Sequence, residues 1–315
     1  MSTRKKTSAM VESALITAIA VIFALAGIYI PLVNVLLMFL PVPFIIIGAK
    51  NGFKYSILSL IVATFMIGSF TDPLRAILFF VTTGFGAITI GYMIKKKYSF
   101  SLTMFFGSIA SIISVIISFA LMPKIFGAGP IEMIESVFVQ SREMYEGLIE
   151  MSKMDAEQTE QILSMIDQMK NLYLLIFPSA IIMSSVFSTY INYLLSGVIL
   201  RRIGFTIDKP KKFGHFRLPT NFMMGALVIV ILTYLASRFD IVNSDALNAN
   251  IIYLFQIIFI IHGLAVASFL IEKKGIGTAL RRTILIFILF IPIANGVLLF
   301  TGLFDVIFNI RKLGT

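Results

Sequence analysis

The chain has 315 residues, of which 58% are hydrophobic and 13% charged, with 30 Phe and no Cys. Soluble domains carry roughly a quarter charged residues, so an ordinary soluble fold is excluded, and the lack of Cys removes disulfides, thiolate metal sites and a cysteine nucleophile. The net charge of +10 does not call for nucleic acid, because in a membrane protein such an excess collects in cytoplasmic loops facing anionic lipid.

Repeated apolar runs of about 20 residues predict an all-α fold, a polytopic transmembrane helical bundle of about nine spans, within a range of about eight to ten. Arg4-Lys5-Lys6 ahead of the first run resembles a signal peptide, but no small-residue cleavage site follows, so a retained span over 11–29 is expected. Span 2, over 32–47, contains Pro41 and Pro43 and is expected to be kinked or partly broken. Spans 3 and 4 follow, the first ending near Phe70 and the second running from the Asp72-Pro73 turn to Lys95-Lys96-Lys97; span 5 covers 102–122. These five form a first membrane half, 1–122.

Residues 123–172 are the one long polar interval. Ile134, Phe138, Tyr145 and Leu148 recur at helical spacing, as do Ile162, Ile166, Met169 and Tyr173, so two amphipathic helices are predicted, over 131–151 and from 156 onward, the second continuing into span 6. Asp155 followed by Gln158 has the form of a capping box opening the second helix. The second half, 173–315, holds span 6 (173–200, with Pro178), span 7 (221–236), span 8 (250–271) and span 9 (284–300). It closes with a short interfacial amphipathic helix over 304–312, where Asp305, Asn309 and Lys312 share a face.

Sorting charges by alternate loops, with the N-terminus cytoplasmic, puts 18 of the 26 Lys and Arg inside and 13 of the 16 Asp and Glu outside, as the positive-inside rule requires. This predicts a multi-pass protein of the bacterial cytoplasmic membrane with the helical insert 123–172 extracytoplasmic. Nine spans then leave Arg311 and Lys312 outside, against the trend.

Several polar residues are candidates for function, each with a structural alternative. Asp72 and Arg75 lie at an outer helix start, where Asp as N-cap and Pro at N1 already explain the pattern, while Arg75 could touch an anion. Asn192, Gln256, His262 and Asn295 lie deeper in apolar spans, where polar groups either mark a ligand or gating site or join helices. His262 has no second ligand at metal spacing, so no metal site is expected. Gly84, Gly86 and Gly91 sit within a span and are ascribed to close helix packing. No Walker motif, nucleophile elbow or zinc-protease motif is present, so neither an enzyme nor a cofactor is expected. Ala14 and Ala18 make a small-xxx-small pair that packs within the bundle or docks a partner.

Residues 12–20 (Glu-Ser-Ala-Leu-Ile-Thr-Ala-Ile-Ala), Pro41-Val42-Pro43 with Gly48-Ala49-Lys50-Asn51-Gly52, and Gly302-Leu303-Phe304-Asp305 with Arg311 resemble the YybS-like family of uncharacterised bacterial membrane proteins. More distantly, the first six spans resemble the S components of energy-coupling-factor transporters. That resemblance implies a ligand cavity bordered by outer loops, and an energising partner docked through Ala14 and Ala18. The loop between spans 1 and 2 is shorter here, that between spans 5 and 6 longer, and three spans are added. The expectation is therefore a transporter-like membrane protein that binds a small solute; a scaffold for cell-envelope or division proteins is the alternative.

Overall fold

The computed structural model describes residues 3–152, 155–219, 221–239 and 243–313. Among these the chain is all-helical, with eleven α-helices, two 3-10 segments and no strand. It divides into two compact units: Met1–Leu174 with Ala180–Lys209, and Leu175–Ser179 with Pro210–Thr315.

The first unit contains α1 (Thr3–Tyr29), a 3-10 segment (Pro31–Phe39), α2 (Pro41–Lys50), α3 (Phe53–Phe70), α4 (Pro73–Lys95), α5 (Phe100–Phe126), α6 (Pro130–Ser152) and most of α7 (Ala156–Arg202). Its helix starts follow local chemistry. Proline opens α2 and α4, where a missing N–H costs nothing. Asp72 caps α4 by accepting from the Leu74 N–H at 2.7 Å, and Asp208 accepts from the Phe100 N–H at 2.7 Å at the start of α5. Phe44, Ile45, Ile47, Leu60, Ile90 and Leu200 are fully buried in the core. Helices α2 and α4 touch backbone to backbone, since a Cβ on Gly91 would meet the Ile45 carbonyl oxygen at 3.0 Å and Gly48 Cα at 3.1 Å. Gly86 likewise leaves room for the Ser111 hydroxyl of α5.

Outside this apolar core, burial departs from that of a soluble protein. Large apolar side chains such as Leu32 and Phe65 are exposed while many Ser and Thr are buried. The buried hydroxyls of Ser13, Thr17, Thr103 and Ser118 donate to the carbonyl four residues back, which satisfies them without water.

Among the described residues, seven helices are long and apolar enough to cross a membrane: Lys6–Tyr29, Pro31–Lys50, Phe53–Phe70, Pro73–Lys95, Phe100–Phe126, Glu157–Arg202 and Ser244–Lys273. The second is the expected kinked span, changing from 3-10 to α at Leu40. The predicted spans 7 and 9 differ. Helix α8 (Phe222–Arg238) has 17 residues, about 26 Å at the α-helical rise and shorter than a hydrocarbon core of roughly 30 Å. Span 9 is two helices, α10 (Thr278–Leu289) and α11 (Pro292–Phe308), bent by 108°. Pro292 is the cause, having no N–H to continue the α10 ladder. If the bent pair crosses, the count is eight.

The polar interval folds as the periodicity predicts, into α6 and the first turns of a single α7 of 47 residues. Phe138 packs on Tyr173 with ring centroids 5.7 Å apart, and Arg142 donates to Glu146 at 3.0 Å and Asp167 at 2.6 Å. These two bonds push the Arg142 guanidinium further up from its already high value. Asp155 occupies the N-cap position, but its side chain makes no capping bond; its carbonyl accepts from Thr159 instead, so the predicted capping box is not closed.

In the second unit, α9 (Ser244–Lys273) and α11 cross with their backbones in contact. A Cβ on Gly263 would overlap the Leu298 carbonyl oxygen, and one on Gly302 the Phe259 carbonyl oxygen. Asn250 of α9 closes the break that Pro178 makes in α7. Its Oδ1 accepts from the Ser179 N–H at 2.8 Å, and its Nδ2 donates to the Leu175 carbonyl at 2.7 Å. The carboxamide thus stands between two backbone groups that an uninterrupted helix would join directly.

Replacing Asn250 with Leu strands both backbone groups without water. The expected cost is about 1–3 kcal/mol for each buried group left unmade, seen as a lower thermal-unfolding midpoint in detergent. Asn250→Gln should recover part of it.

Candidate functional site

Inside the first unit, α2, α4, α5 and α7 border a partly open cavity of about 210 Å³. Its accessible wall is mainly apolar, with Ile90 and Val115 part of it, but hydroxyl residues supply most of its lining: Thr82 and Thr83 from α4, Ser111 and Ser114 from α5, and Ser184, Ser185, Ser188 and Thr189 from α7, with Asn192 one turn further on. Pro41 also lines it.

The proline accounts for the position of Asn192. Pro41 and Pro43 supply no N–H to the preceding turn, so carbonyls of the 3-10 segment lack helical partners. The Leu37 carbonyl takes the Leu40 N–H at 3.2 Å, and Asn192 Nδ2 donates to the Met38 carbonyl at 3.3 Å. The same Nδ2 reaches the Ser188 carbonyl at 2.9 Å and the Ser188 hydroxyl at 3.2 Å. Its two protons are therefore committed. Asn192 Oδ1 is buried with no hydrogen-bond partner among the described residues, and so is Ser185 Oγ.

No ionisable side chain lines this cavity. What it can do chemically is hold a solute by hydrogen bonds. A second cavity, of about 320 Å³, is lined by Lys97, Tyr98, Tyr193 and Asp208. There the Tyr193 hydroxyl donates to the Asp208 carbonyl at 2.7 Å and Asp208 Oδ2 takes the Phe100 N–H, so its principal polar groups are already used in closing the loop onto α5.

The second unit gathers three other candidates into one buried cluster. His262 Nε2 lies 2.9 Å from Asp305 Oδ2, and the Arg311 guanidinium donates to that oxygen from Nε at 3.0 Å and Nη2 at 2.8 Å. Arg311 also donates to the carbonyls of Gly214 at 2.6 Å and Phe216 at 2.9 Å, and its backbone N–H to Asp305 Oδ1 at 3.1 Å. The side chains of Asp305 and Arg311 are 1% and 0% exposed. The predicted interfacial helix over 304–312 is therefore not what forms. Helix α11 ends at Phe308, Asn309 and Lys312 take left-handed backbone conformations, and Asp305 and Arg311 turn inward to pin the tail onto residues 213–217. Every polar atom of the Asp305 carboxylate and the Arg311 guanidinium is engaged, which makes the pair a fastening, whereas His262 Nδ1 is buried with no hydrogen-bond partner among the described residues. Among the described residues no three of His, Cys, Asp and Glu come together to hold a metal ion.

The remaining candidates are scattered. Asp72 and Arg75 are exposed, the first a cap and the second lying 6.0 Å over the Phe126 ring. Gln256 is exposed on α9. Asn295 Nδ2 donates to the Leu289 carbonyl at 3.3 Å, across the α10–α11 break. Ala14 and Ala18 are exposed on α1 while the neighbouring Ser13 and Thr17 face inward. Sequence reasoning singled out Asn192 but missed Ser185, Ser188, Thr189 and Asn250. A signal existed: Ser185, Ser188 or Thr189, and Asn192 recur on one face of an otherwise apolar helix.

The sequence model of a family described as "Predicted membrane protein (DUF2232)" matches residues 18–306. Over 314 residues the chain is 27% identical to the uncharacterized protein YybS of Bacillus subtilis (strain 168), covering 98% of this chain and 99% of that protein. No solved structure matches.

The cluster of the second unit makes a thermodynamic prediction. Arg311→Met leaves the Asp305 carboxylate buried and unpaired, at a cost of about 3–5 kcal/mol. Asp305→Leu combined with Arg311→Met should recover most of that loss in denaturant unfolding. Additive losses in the double variant would show that the two side chains do not act as a pair.

Proposed function

The chain belongs to the DUF2232 family of predicted membrane proteins, and from that premise we propose that it is a transporter-like protein of the bacterial cytoplasmic membrane that binds a small solute within its first unit. The observation that carries this is the hydroxyl-lined cavity, in which Asn192 and Ser185 each keep an unpartnered oxygen. A buried polar atom left without a partner costs free energy, and a solute toward which the Ser185 hydroxyl turns removes that cost. The role proposed is binding and passage of a solute, with no chemistry done on it.

In this proposal the energy for uptake comes from a partner module or an ion gradient, since no nucleotide-binding motif is present. The exposed Ala14 and Ala18 on α1 offer the partner a shallow helix face that permits close approach. The N-terminus and the basic loop 209–217 lie in the cytoplasm, and α6 lies outside. The C-terminal tail joins the cytoplasmic set, supported by its bonds from Arg311 to Gly214 and Phe216 and from Arg217 to Leu313. Arg311 and Lys312 then agree with the charge asymmetry.

A second proposal, a scaffold for envelope or division proteins, is supported by apolar side chains exposed on the polar hairpin, among them Val137, Met151 and Met165. Mass spectrometry of denatured, purified protein separates the two. Stoichiometric release of a small molecule supports solute binding, whereas ligand-free protein that repeatedly copurifies an envelope complex supports the scaffold.

Two further outcomes are expected. Ala14→Leu with Ala18→Leu abolishes uptake while leaving the unfolding midpoint within about 0.5 kcal/mol of the parent, as for exposed substitutions; unchanged uptake would remove the docking assignment. Because the chain has no Cys, single cysteines report topology directly. Ser136→Cys should react with an impermeant maleimide in intact cells, and Lys211→Cys and Lys312→Cys only after permeabilisation.

A further inference from the structure

We propose that the cavity of the first unit is built for a small uncharged molecule that exchanges hydrogen bonds with hydroxyl groups, such as a carboxamide, lactam or polyol, and not for a carboxylate, phosphate or ammonium group. This rests on the solute-binding proposal above and names the ligand chemistry of that site.

Charge is settled first. The wall carries hydroxyls and one carboxamide but no Lys, Arg, His, Asp or Glu. An ion held there would lose its hydration with no counter-charge to replace it, which is costly at membrane depth. A neutral ligand meets no such penalty.

What the wall offers a ligand follows from counting protons. A hydroxyl has one proton and two acceptor lone pairs. Thr82 donates its proton to the Leu78 carbonyl at 2.9 Å, Ser184 to the Ile181 carbonyl at 3.0 Å, and Ser114 to the Val81 carbonyl across from α5 to α4. What these oxygens have left to offer is lone pairs. Ser111 and Thr189 share one bond at 3.1 Å, so one of their two protons is also taken. Asn192 has both Nδ2 protons committed to protein oxygens, and its Oδ1 is unpartnered. Thr83, Ser185, Ser188 and one of the Ser111–Thr189 pair keep their protons uncommitted among the described residues, so the wall offers neutral donors and acceptors alike. A carboxylate, a phosphate or an ammonium finds no counter-charge in it.

Ser185 gives the cleanest test, because its hydroxyl makes no bond within the described protein. Ser185→Ala removes a ligand contact and no internal one, while Ser185→Leu fills space. Detergent-purified parent and variants are equilibrated with a size-filtered bacterial small-molecule extract, washed and denatured. Released compounds are identified by mass spectrometry in both polarities. The expected result is a compound neutral at pH 7 with at least one hydrogen-bonding N or O, captured by the parent. Its capture should fall about fivefold in Ser185→Ala, as for loss of one neutral hydrogen bond, and vanish in Ser185→Leu. A captured ion with the same dependence on both variants overturns the proposed ligand chemistry and leaves solute binding standing. No capture by the parent, or capture indifferent to both variants, overturns both. Thermal melts accompany every sample; if Ser185→Leu unfolds, Ser185→Ala decides alone.

Discussion

In a bilayer every backbone N–H and C=O has to find a partner within the protein, and proline is where that requirement is hardest to meet. Three asparagines answer it at three prolines. Asn192 takes the Met38 carbonyl before Pro41, Asn250 takes the Leu175 carbonyl before Pro178, and Asn295 takes the Leu289 carbonyl before Pro292. Each carbonyl belongs to the residue three before the proline, in the last turn that the missing N–H leaves open. The carboxamide suits this because it carries donor and acceptor together. Asn250 uses both, bridging Leu175 and Ser179. Asn192 and Asn295 use only the donor, and each leaves a buried Oδ1 unpartnered.

The two units treat buried polar groups differently. In the second, Asp305 and Arg311 satisfy one another and draw in His262 and the carbonyls of Gly214 and Phe216, so the tail is fastened by charge. In the first, several hydroxyls on α4, α5 and α7 donate to helix carbonyls or pair with each other, while Ser185 Oγ has no partner among the described residues. A paired charge is rigid because breaking it strands an ion. A neutral hydroxyl is less constrained, since parting from its partner strands no ion.

Much of the fold was legible in hydrophobic spacing. The first five spans, the amphipathic pair 131–151 and 156 onward, and the continuation of the second into span 6 all follow from period and length. Span 9 forms as two helices, a break that hydropathy does not register because Pro292 stands inside an apolar run where the chain bends by 108°. The tail was misjudged for another reason. Helical projection puts Asp305 on a polar face with Asn309 and Lys312, but its partner His262 is 43 residues away, and no local pattern records such a pairing. The cavity lies between these cases. Asn192 was visible as an amide in an apolar span, whereas the serines around it are too common in membrane helices to be noticed until α4 and α5 are set against α7.

Helix α7 has 47 residues, about 70 Å at the α-helical rise, more than twice the thickness of a hydrocarbon core. It contains Pro178 yet remains one helix, and Asn250 bridges the Leu175 carbonyl and Ser179 N–H that part beside the proline. Mechanically it is a beam with a pivot: the polar hairpin loads one arm, and the face bearing Ser185, Ser188 and Asn192 forms part of the other. A tilt of about 5° about Pro178 moves a point 20 Å along either arm by roughly 2 Å. That is enough to break or make a hydrogen bond at the cavity wall. The interrupted ladder is the place in the beam where backbone bonds give way to a side chain, the Asn250 carboxamide.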